Sequence, residues 1–340
     1  MVSGNFVGVV LLVEIIVVMM SGCRFEANGL SMDYYFRSCP ILDPIMKNTV
    51  FRALQADPTL AAGLVRMHFH DCFVEGCDGS VLIDSTNDNT AEKDSPANLS
   101  LRGYEVIDAA KEQLERMCPG VVSCADILAM AARDAAGGPM YEIPKGRKDG
   151  RRSRIEDTIN LPAPTLNASG LITIFGKHGF TVEELVALSG AHTLGVASCV
   201  NFKKRLNDVD QNMDADFAKT LSKTCSSGDN AQQPFDATRN SFDNLYFNTL
   251  QRKAGVLTSD QTLFADSRTS GVVNGFALNQ AMFFLSFQRA MLKMGALDVK
   301  DAPNGEIAMI DPDSLLSDCS QFGKEGHRDP LSYDRLQFGK

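Results

Sequence analysis

The sequence predicts an all-α fold whose irregular loops are held by disulfides. Most segments of the 340-residue chain show the apolar spacing of amphipathic helices, and strand signals are few and short. The chain contains nine cysteines, of which eight lie beyond an apolar N-terminal leader. An even number of cysteines behind such a leader is typical of a disulfide framework formed in an oxidising compartment.

The first 29 residues have the features of a signal peptide rather than of a folded element. Residues 7–20 form an apolar run that is short for a membrane span, and small residues precede the expected cleavage site at Gly29. We therefore expect a secreted, extracellular or cell-wall domain of residues 30–322 and a polar tail, 323–340. An uncleaved anchor is the alternative, because no basic residue precedes the run and Glu14 interrupts it.

Helical periodicity is strongest in segments whose lengths are typical of globular helices. Thr181 and Glu184 form a capping box that predicts the start of one helix. Asp57 and Pro58 suit the N-cap and first turn of another. The predicted helices are residues 43–56, 57–69, 103–117, 124–136, 165–178, 181–192, 242–252, 267–279 and 279–294, with one more from Arg205 onward.

The stretch from Arg66 to Ser80 concentrates side chains that carry chemistry. It reads Arg-Met-His-Phe-His-Asp-Cys-Phe-Val-Glu-Gly-Cys-Asp-Gly-Ser. A helix places Arg66 and His70 on one face, with Phe69 beside them. The turn-rich second half offers carboxylates and carbonyls, which are the hard oxygen ligands that Ca²⁺ prefers.

Three interpretations of this stretch compete. In the first, the charged residues form a solvated surface and turn. In the second, His68, His70 and Asp71 form a zinc site, as closely spaced histidines often do. In the third, His70 is a general base and Arg66 a fixed positive charge above a bound cofactor.

This stretch resembles, nearly residue for residue, the distal haem site of the class III secretory plant peroxidases. Leu188-Ser-Gly-Ala-His-Thr-Leu-Gly195 resembles the proximal motif of that family, and Leu257-Thr-Ser-Asp-Gln261 resembles its aspartate motif. The resemblance covers about residues 30–307. It implies a two-lobed helical fold with haem b between distal and proximal helices. It also implies an enzyme that reduces H₂O₂ to water while oxidising phenolic donors in one-electron steps.

The resemblance implies a role for each site residue. His70 acts as base and then as acid, Arg66 stabilises charge, and Asn98 holds the other ring nitrogen of the distal histidine. His192 ligates the haem iron, and Asp260 accepts a hydrogen bond from its second ring nitrogen. Taken alone, the proximal histidine could be a packed core residue and the aspartate a helix N-cap.

Further roles implied by the resemblance concern the haem surroundings and two calcium ions. Phe69 takes the aromatic place over the cofactor, and the carbonyl of Pro162 accepts a hydrogen bond from a phenol. The proximal calcium loop departs from the family by one residue in spacing and has Arg239 in place of a proline, so an acidic loop without metal is the alternative there. The implied ligands are Asp71, Val74, Gly76, Asp78 and Ser80 at the distal site, with Glu92 connected to them, and Thr193, Asp236, Thr238, Ser241 and Asp243 at the proximal site.

The family's cysteine order implies four disulfides, but the end of the chain departs from the family. Eleven residues, 308–318, separate Ile307 from Cys319, where the family has a short basic run. We nevertheless expect the last bridge to form, because lengthening a loop adds little closure entropy. The implied pairs are Cys39–Cys118, Cys72–Cys77, Cys124–Cys319 and Cys199–Cys225.

Charge and composition argue against several other function classes. A net charge of −9 provides no basic footprint for nucleic acid or anionic lipid, and the absence of tryptophan excludes a tryptophan-radical route to a protein donor. We expect a monomer without stable membrane association and with a glycosylation sequon at Asn167. The basic cluster at 147–154 is expected to be a solvated loop, with binding of anionic partners as the alternative. Two alternatives remain: a secreted zinc or calcium module without catalysis, and a catalytically silent haem- and calcium-binding structural relative.

Overall fold

The computed structural model describes residues 29–207, 210–300, 303–308 and 319–320, and these residues are mostly helical. The predicted all-α class is confirmed. Within this part of the chain the only ladder is an antiparallel pair, Val196–Ser198 (β1) with Gln232–Pro234 (β2), in which Val196 lies opposite Pro234. The predicted signal peptide, apart from Gly29, and the predicted tail lie outside the described residues.

The described residues form twelve α-helices and five short 3₁₀ turns. The helices are α1 Leu42–Ala56, α2 Leu60–Cys72, α3 Tyr104–Met117, α4 Cys124–Ala136, α5 Ala168–Lys177, α6 Val182–Ser189, α7 Lys204–Asn207, α8 Ala215–Cys225, α9 Leu245–Gln251, α10 Thr258–Ala265, α11 Ser270–Leu278 and α12 Gln280–Met294. The 3₁₀ turns are Ser80–Leu82, Glu92–Asp94, Ile155–Asn160, Gly190–Thr193 and Cys199–Asn201. No helix in the described ranges is long and apolar enough to cross a membrane.

The first lobe is built around α4, which is buried along nearly its whole length. Its alanine-rich sequence lets α1 and α2 pack closely against it, and α3 packs on α1. Ser123 caps the helix by accepting a hydrogen bond from the amide of Asp126 at 3.2 Å. Because α2 is fixed along α4, the side chains of Arg66 and His70 project from a rigid element.

The second lobe places the turn that carries His192. Helix α12 packs against α6, and α9 and α10 pack against α11. Helix α6 ends at Ser189 and continues as the 3₁₀ turn Gly190–Thr193. Gly190 is required there, because a Cβ atom would overlap the ring of Phe283, which belongs to a cluster of phenylalanines behind the turn.

Four disulfides staple the described residues, in the pairing that the family resemblance implies. They are Cys39–Cys118, Cys72–Cys77, Cys124–Cys319 and Cys199–Cys225. The longest spans 195 residues and reaches the N-terminus of α4. There Asp149 Oδ2 accepts from the amide of Cys124 at 3.1 Å and from that of Ala308 at 2.9 Å. Ala308 and Cys319, the described residues on either side of 309–318, therefore both lie near Cys124.

Two predicted helices have wrong boundaries, and one helix was not predicted. Asp57 caps no helix but accepts from the amide and hydroxyl of Thr59, at 2.9 and 2.6 Å, so α2 starts at Leu60 and continues to Cys72. The helix predicted over 181–192 divides at Ser189 into α6 and a 3₁₀ turn. Helix α10 was not predicted, because its 8 residues are too few to show a clear apolar period.

Candidate active site

The distal histidine, His70, lies near the end of α2 and is held by an asparagine from a neighbouring loop. Its Nδ1 is 2.5 Å from Asn98 Oδ1. The Asn98 amide is itself oriented, because its Nδ2 donates to the carbonyl of Glu92 at 2.8 Å. Since the asparagine oxygen can only accept, His70 carries its proton on Nδ1, and Nε2 presents a lone pair.

Arg66 lies one helical turn before His70 and is fixed by the same loop. Its Nε donates to His70 Nε2 at 3.1 Å. Its two terminal nitrogens donate to Ser100 Oγ and to the carbonyl of Ala97, both at 2.8 Å. One loop therefore sets the position of the guanidinium and the tautomer of the imidazole.

The electrostatics of this site keep the distal imidazole neutral. Burial, and then the positive charge of Arg66, lower the pKa of His70 to about 3, while the hydrogen bond with Asn98 acts in the opposite direction. A neutral imidazole beside a permanent cation can accept a proton from a substrate at neutral pH. Phe69 lies against His70 with ring centroids 5.7 Å apart, and it is half-buried.

The proximal histidine, His192, is oriented by a buried carboxylate. Its Nδ1 is 2.7 Å from Asp260 Oδ1. Asp260 is also tied to the start of α10, because its Oδ2 accepts from the amide of Leu257 at 2.9 Å. Asp260 therefore orients His192 with one oxygen; the alternative that it is the helix N-cap is wrong, because Leu257 holds that position and Asp260, the third helical residue, accepts from its amide with the other oxygen.

Two further aromatic residues surround His192. The ring of Phe235 stacks on the imidazole at a centroid distance of 4.2 Å and an interplanar angle of 3°. The hydroxyl of Tyr246 donates to Asp260 Oδ1 at 3.0 Å. No sequence pattern identified either residue, because both reach the site through tertiary packing of separate elements.

The side chains of His192 and Phe69 fit a haem. The side chain of His192 is 37% exposed, although Gly190 and Thr193 on the same turn are buried. Because its Nδ1 is engaged, the exposed imidazole offers Nε2 as a ligand backed by an anionic partner, as haem iron requires. The half-buried ring of Phe69 supplies an apolar surface on the distal side.

The predicted distal calcium residues form a buried group of oxygens that lack protein partners. Asp71 Oδ1, Ser80 Oγ and both carboxylate oxygens of Glu92 are buried and have no hydrogen-bond partner among the described residues. Burial, followed by the charge of Asp78, raises the pKa of Glu92 to about 8 and raises that of Asp71. The orphaned oxygens fit a hard cation, which would supply the missing positive charge.

The backbone around this group is fixed as well. The carbonyl of Gly76 accepts from the amide of Asp78 at 2.9 Å, and Val74 follows Asp71 in a turn closed by a 3.3 Å hydrogen bond. Lys300 lies at the edge of the group, where its Nζ is 3.5 Å from Asp78 Oδ2.

The predicted proximal calcium residues also come together. Thr193 Oγ1 lies 2.7 Å from Asp236 Oδ2 and 3.1 Å from Asp243 Oδ1, and its single proton can serve only one of them at a time. Asp236 Oδ1 accepts from the amide of Thr238 at 2.8 Å. Ser241 joins the group through its amide, which donates to the carbonyl of Thr238 at 2.7 Å.

Comparison with known proteins identifies the family. The family model described as peroxidase matches residues 46–279. This chain belongs to the peroxidase family. It is 67% identical to Peroxidase 47 of Arabidopsis thaliana over 310 residues, which are 90% of this chain and 94% of that protein. It is 46% identical to Peroxidase 66 of the same plant over 286 residues, 80% of this chain and 89% of the relative. Peroxidase 5 of Vitis vinifera is 44% identical over 308 residues, 86% and 93% of the two chains.

Family membership confirms the resemblance to the class III plant peroxidases and the function that follows from it. The protein is a haem-dependent peroxidase that uses H₂O₂ and a donor substrate. The alternative of a secreted metal-binding module without catalysis is therefore not supported.

The zinc interpretation of the His68 stretch in this peroxidase is also not supported. His68 lies against Cys72 Sγ at 3.6 Å, and that sulfur is bonded to Cys77. Burial and then the charge of Arg147 lower the pKa of His68 to about 3. His68 and His70 are two residues apart on α2, so they point to different surroundings and share no ligand position.

Two other sequence features of the peroxidase have structural explanations. In the basic cluster, Arg147 is buried and paired with Asp126 at 2.7 Å, and Arg152 is 2.8 Å from Asp157. The predicted solvated loop is thus partly a buried ion pair. Pro162 is half-buried, and no described contact joins it to either histidine, although the carbonyl of Pro164 accepts from α10 at 3.0 Å.

Proposed function

We propose that His70 and Arg66 perform the proton transfer and charge stabilisation of peroxide reduction in this enzyme. His70 Nε2 accepts the proton of H₂O₂ and returns it to the departing oxygen, acting first as base and then as acid. Arg66 lies beside Nε2 and stabilises negative charge on the oxygen atoms as their bond polarises. The observation that carries this proposal is the contact between His70 Nδ1 and the oriented oxygen of Asn98.

The haem, when bound, would supply the redox chemistry: two electrons for the reduction of peroxide, which the donor substrate then replaces one at a time. His192 would hold it through Nε2. The 2.7 Å contact between His192 Nδ1 and Asp260 supports this assignment, because a carboxylate partner raises the basicity of the ligand. Phe69 would cover the distal face beside the base.

Two calcium ions complete the proposed holoenzyme. The orphaned oxygens of Asp71 and Ser80 support a distal ion, with Asp78 and the carbonyls of Val74 and Gly76 as the other ligands. The convergence of Thr193, Asp236 and Asp243, with Thr238 and Ser241 nearby, supports a proximal ion. Glu92 would connect the distal ion to the carbonyl that orients Asn98.

The remaining proposals concern the donor and the setting. We infer that the donor is a small phenol held at the carbonyl of Pro162, and that the enzyme is a secreted monomer. A glycan at Asn167 is compatible with the fold. Its side chain is exposed and caps α5 through Oδ1, which leaves Nδ2 for attachment.

Replacement of the proposed base tests this function. In holoenzyme with His70→Ala, stopped-flow absorption should show the reaction with H₂O₂ slowed by at least about 10²- to 10⁴-fold, because both proton transfers lose their carrier. His178→Ala, at a half-buried histidine that packs on Phe73, is the matched control and should react as the wild type does. A His70→Ala enzyme that reacts within about tenfold of the wild type contradicts the assigned role. A wild-type holoenzyme that shows no turnover with any phenol favours the silent structural relative instead.

A further inference from the structure

The carboxylate of Asp260 accepts three hydrogen bonds, and two of them converge on one oxygen. Oδ1 receives both His192 Nδ1 at 2.7 Å and the hydroxyl of Tyr246 at 3.0 Å. Oδ2 receives the amide of Leu257 at 2.9 Å. Asp260 and Tyr246 are each only 1% exposed, so water does not compete for these contacts.

Packing fixes Tyr246 as a donor to this oxygen. It lies on α9, where its ring meets Phe247 edge-on at 5.1 Å and is nearly perpendicular to the ring of His192 at 6.1 Å. Burial and then the negative charge of Asp260 raise the pKa of Tyr246 well above its ordinary value. The phenol therefore stays protonated and donates a hydrogen bond to Asp260.

We propose that Tyr246 is a positioning residue of the proximal site, which weakens Asp260 as an acceptor for His192 and so limits the negative charge that the imidazole passes to the haem iron. An oxygen that shares its electron density between two donors is a poorer acceptor for each of them. Less charge transfer favours the ferrous state relative to the ferric state. This inference rests on the proposed role of His192 as the iron ligand.

A second tyrosine in the chain offers a matched control. Tyr35 is 3% exposed, and its hydroxyl donates to the buried carboxylate of Asp126 at 2.8 Å. The Asp126 carboxylate holds Gly146 and Arg147 and no histidine. Tyr35→Phe thus removes the same kind of buried hydrogen bond in the other lobe. It shows how far the loss of such a bond affects the protein when no histidine is involved.

The deciding measurement is the ferric/ferrous reduction potential of the holoenzymes. Tyr246→Phe should make the potential more negative, by up to about 59 mV, which corresponds to a tenfold change for a one-electron couple. The iron–histidine stretching frequency of the ferrous form should rise in the same variant, because the imidazole becomes more anionic. Tyr35→Phe should leave both quantities unchanged.

A potential for Tyr246→Phe that equals the wild-type value, or that is more positive, overturns the inference. Where Tyr246→Phe does not retain haem, a fluorinated tyrosine placed at position 246 preserves the shape and strengthens the donor. It should make the potential more positive, and no change again overturns the inference.

Asp260→Asn separates failure of this inference from failure of the proposed function. If Asp260→Asn changes the potential and Tyr246→Phe does not, only the role of Tyr246 is wrong. If neither variant changes the potential, Asp260 does not act on the iron ligand, and the proposed pairing of His192 with Asp260 at the haem falls together with this inference.

Discussion

His70 owes its chemical state to three neighbours, of which Arg66 lies on the same helix and Asn98 and Glu92 on a later loop. Asn98 determines which nitrogen carries the proton, Glu92 orients Asn98 through its carbonyl, and Arg66 makes the protonated imidazole unfavourable. Each contact is a single hydrogen bond or charge effect, yet together they specify one tautomer and one protonation state.

The orienting role of Asn98 can be tested by its removal. Asn98→Ala should slow the reaction with H₂O₂ by about 10- to 100-fold, by analogy with the loss of an orienting partner from a metal-ligating histidine. Asn89→Ala removes an asparagine of the preceding loop that donates to Ser153 at 2.8 Å, and it should react normally. Stopped-flow absorption measures both rates, and equal rates would show that His70 needs no orienting partner.

Buried His68 should make the folded state sensitive to acid. Its pKa is about 3 when folded and about 6.5 when unfolded, so the unfolded chain binds the proton first as the pH falls. The contribution of neutral His68 to the free energy of unfolding is fully present above pH 6.5 and is lost as the pH falls towards 3. The slope from this residue approaches about 1.4 kcal/mol per pH unit.

His68→Gln should therefore lose less unfolding free energy between pH 6.5 and 5 than the wild type, as denaturant titrations at each pH would show. The control is His178→Gln, since His178 is only half-buried, although burial lowers its pKa as well. Parallel slopes for wild type and His68→Gln would mean that His68 is already accessible to protons in the folded protein.

At the scale of elements, the distal and proximal histidines, His70 and His192, are each followed directly by a proposed calcium ligand. Asp71 adjoins His70 at the end of α2, and Thr193 adjoins His192 at the end of its 3₁₀ turn. The loop after α2 is closed by Cys72–Cys77 and pressed against the segment after α12, where the amide of Cys77 donates to the carbonyl of Leu297 at 3.1 Å. Changes in that loop are therefore transmitted to the distal histidine.

Removal of calcium should loosen both faces of the proposed haem site. Prolonged chelation should lower the melting temperature and change the haem spectrum, because the buried carboxylates of Asp71 and Asp78 then repel one another; adding Ca²⁺ should restore both. We expect metal analysis to find two ions in the wild type and one in Asp71→Asn, with exposed Asp229→Asn as the control. A chelated protein that has lost its metal but keeps its melting temperature and spectrum would contradict this coupling.

At the scale of the whole molecule, the last described residues close the first lobe. Cys319 is bonded to Cys124, and its amide donates to Asp108 on α3 at 3.2 Å. The amide of Asp84 donates to the carbonyl of Ser320 at 3.0 Å. Cys319 and Ser320 thus connect α3, α4 and the segment that follows the 3₁₀ turn Ser80–Leu82.

The Cys124–Cys319 bridge should contribute strongly to stability. Because it closes 195 residues, Cys319→Ser should lower the unfolding free energy by on the order of 5 kcal/mol in the chain-entropy account. Non-reducing peptide mapping should recover the linked peptides from active enzyme. Truncation after Phe322 is the matched control and should retain activity. A free Cys124 thiol in active enzyme would contradict the bridge.

The sequence by itself determined the helical class, most helix positions, and the residue types of both histidine motifs. These features depend on local periodicity and on short, specific runs, which is why Arg66 and His70 could be placed on one helical face in advance. The same local reasoning misplaced the start of α2 at Asp57, since an aspartate that closes a turn and one that caps a helix look alike in sequence.

Only the tertiary structure decided how the chemical groups are coupled. Tyr246 and Phe235 meet His192 from separate segments, and Ser100 and Ala97 hold Arg66 from a loop beyond α2. Likewise, Ala308 and Cys319 both lie near the start of α4, which allows the bridge to Cys124. Such contacts have no period and no fixed spacing along the chain, because their positions follow from how whole helices pack.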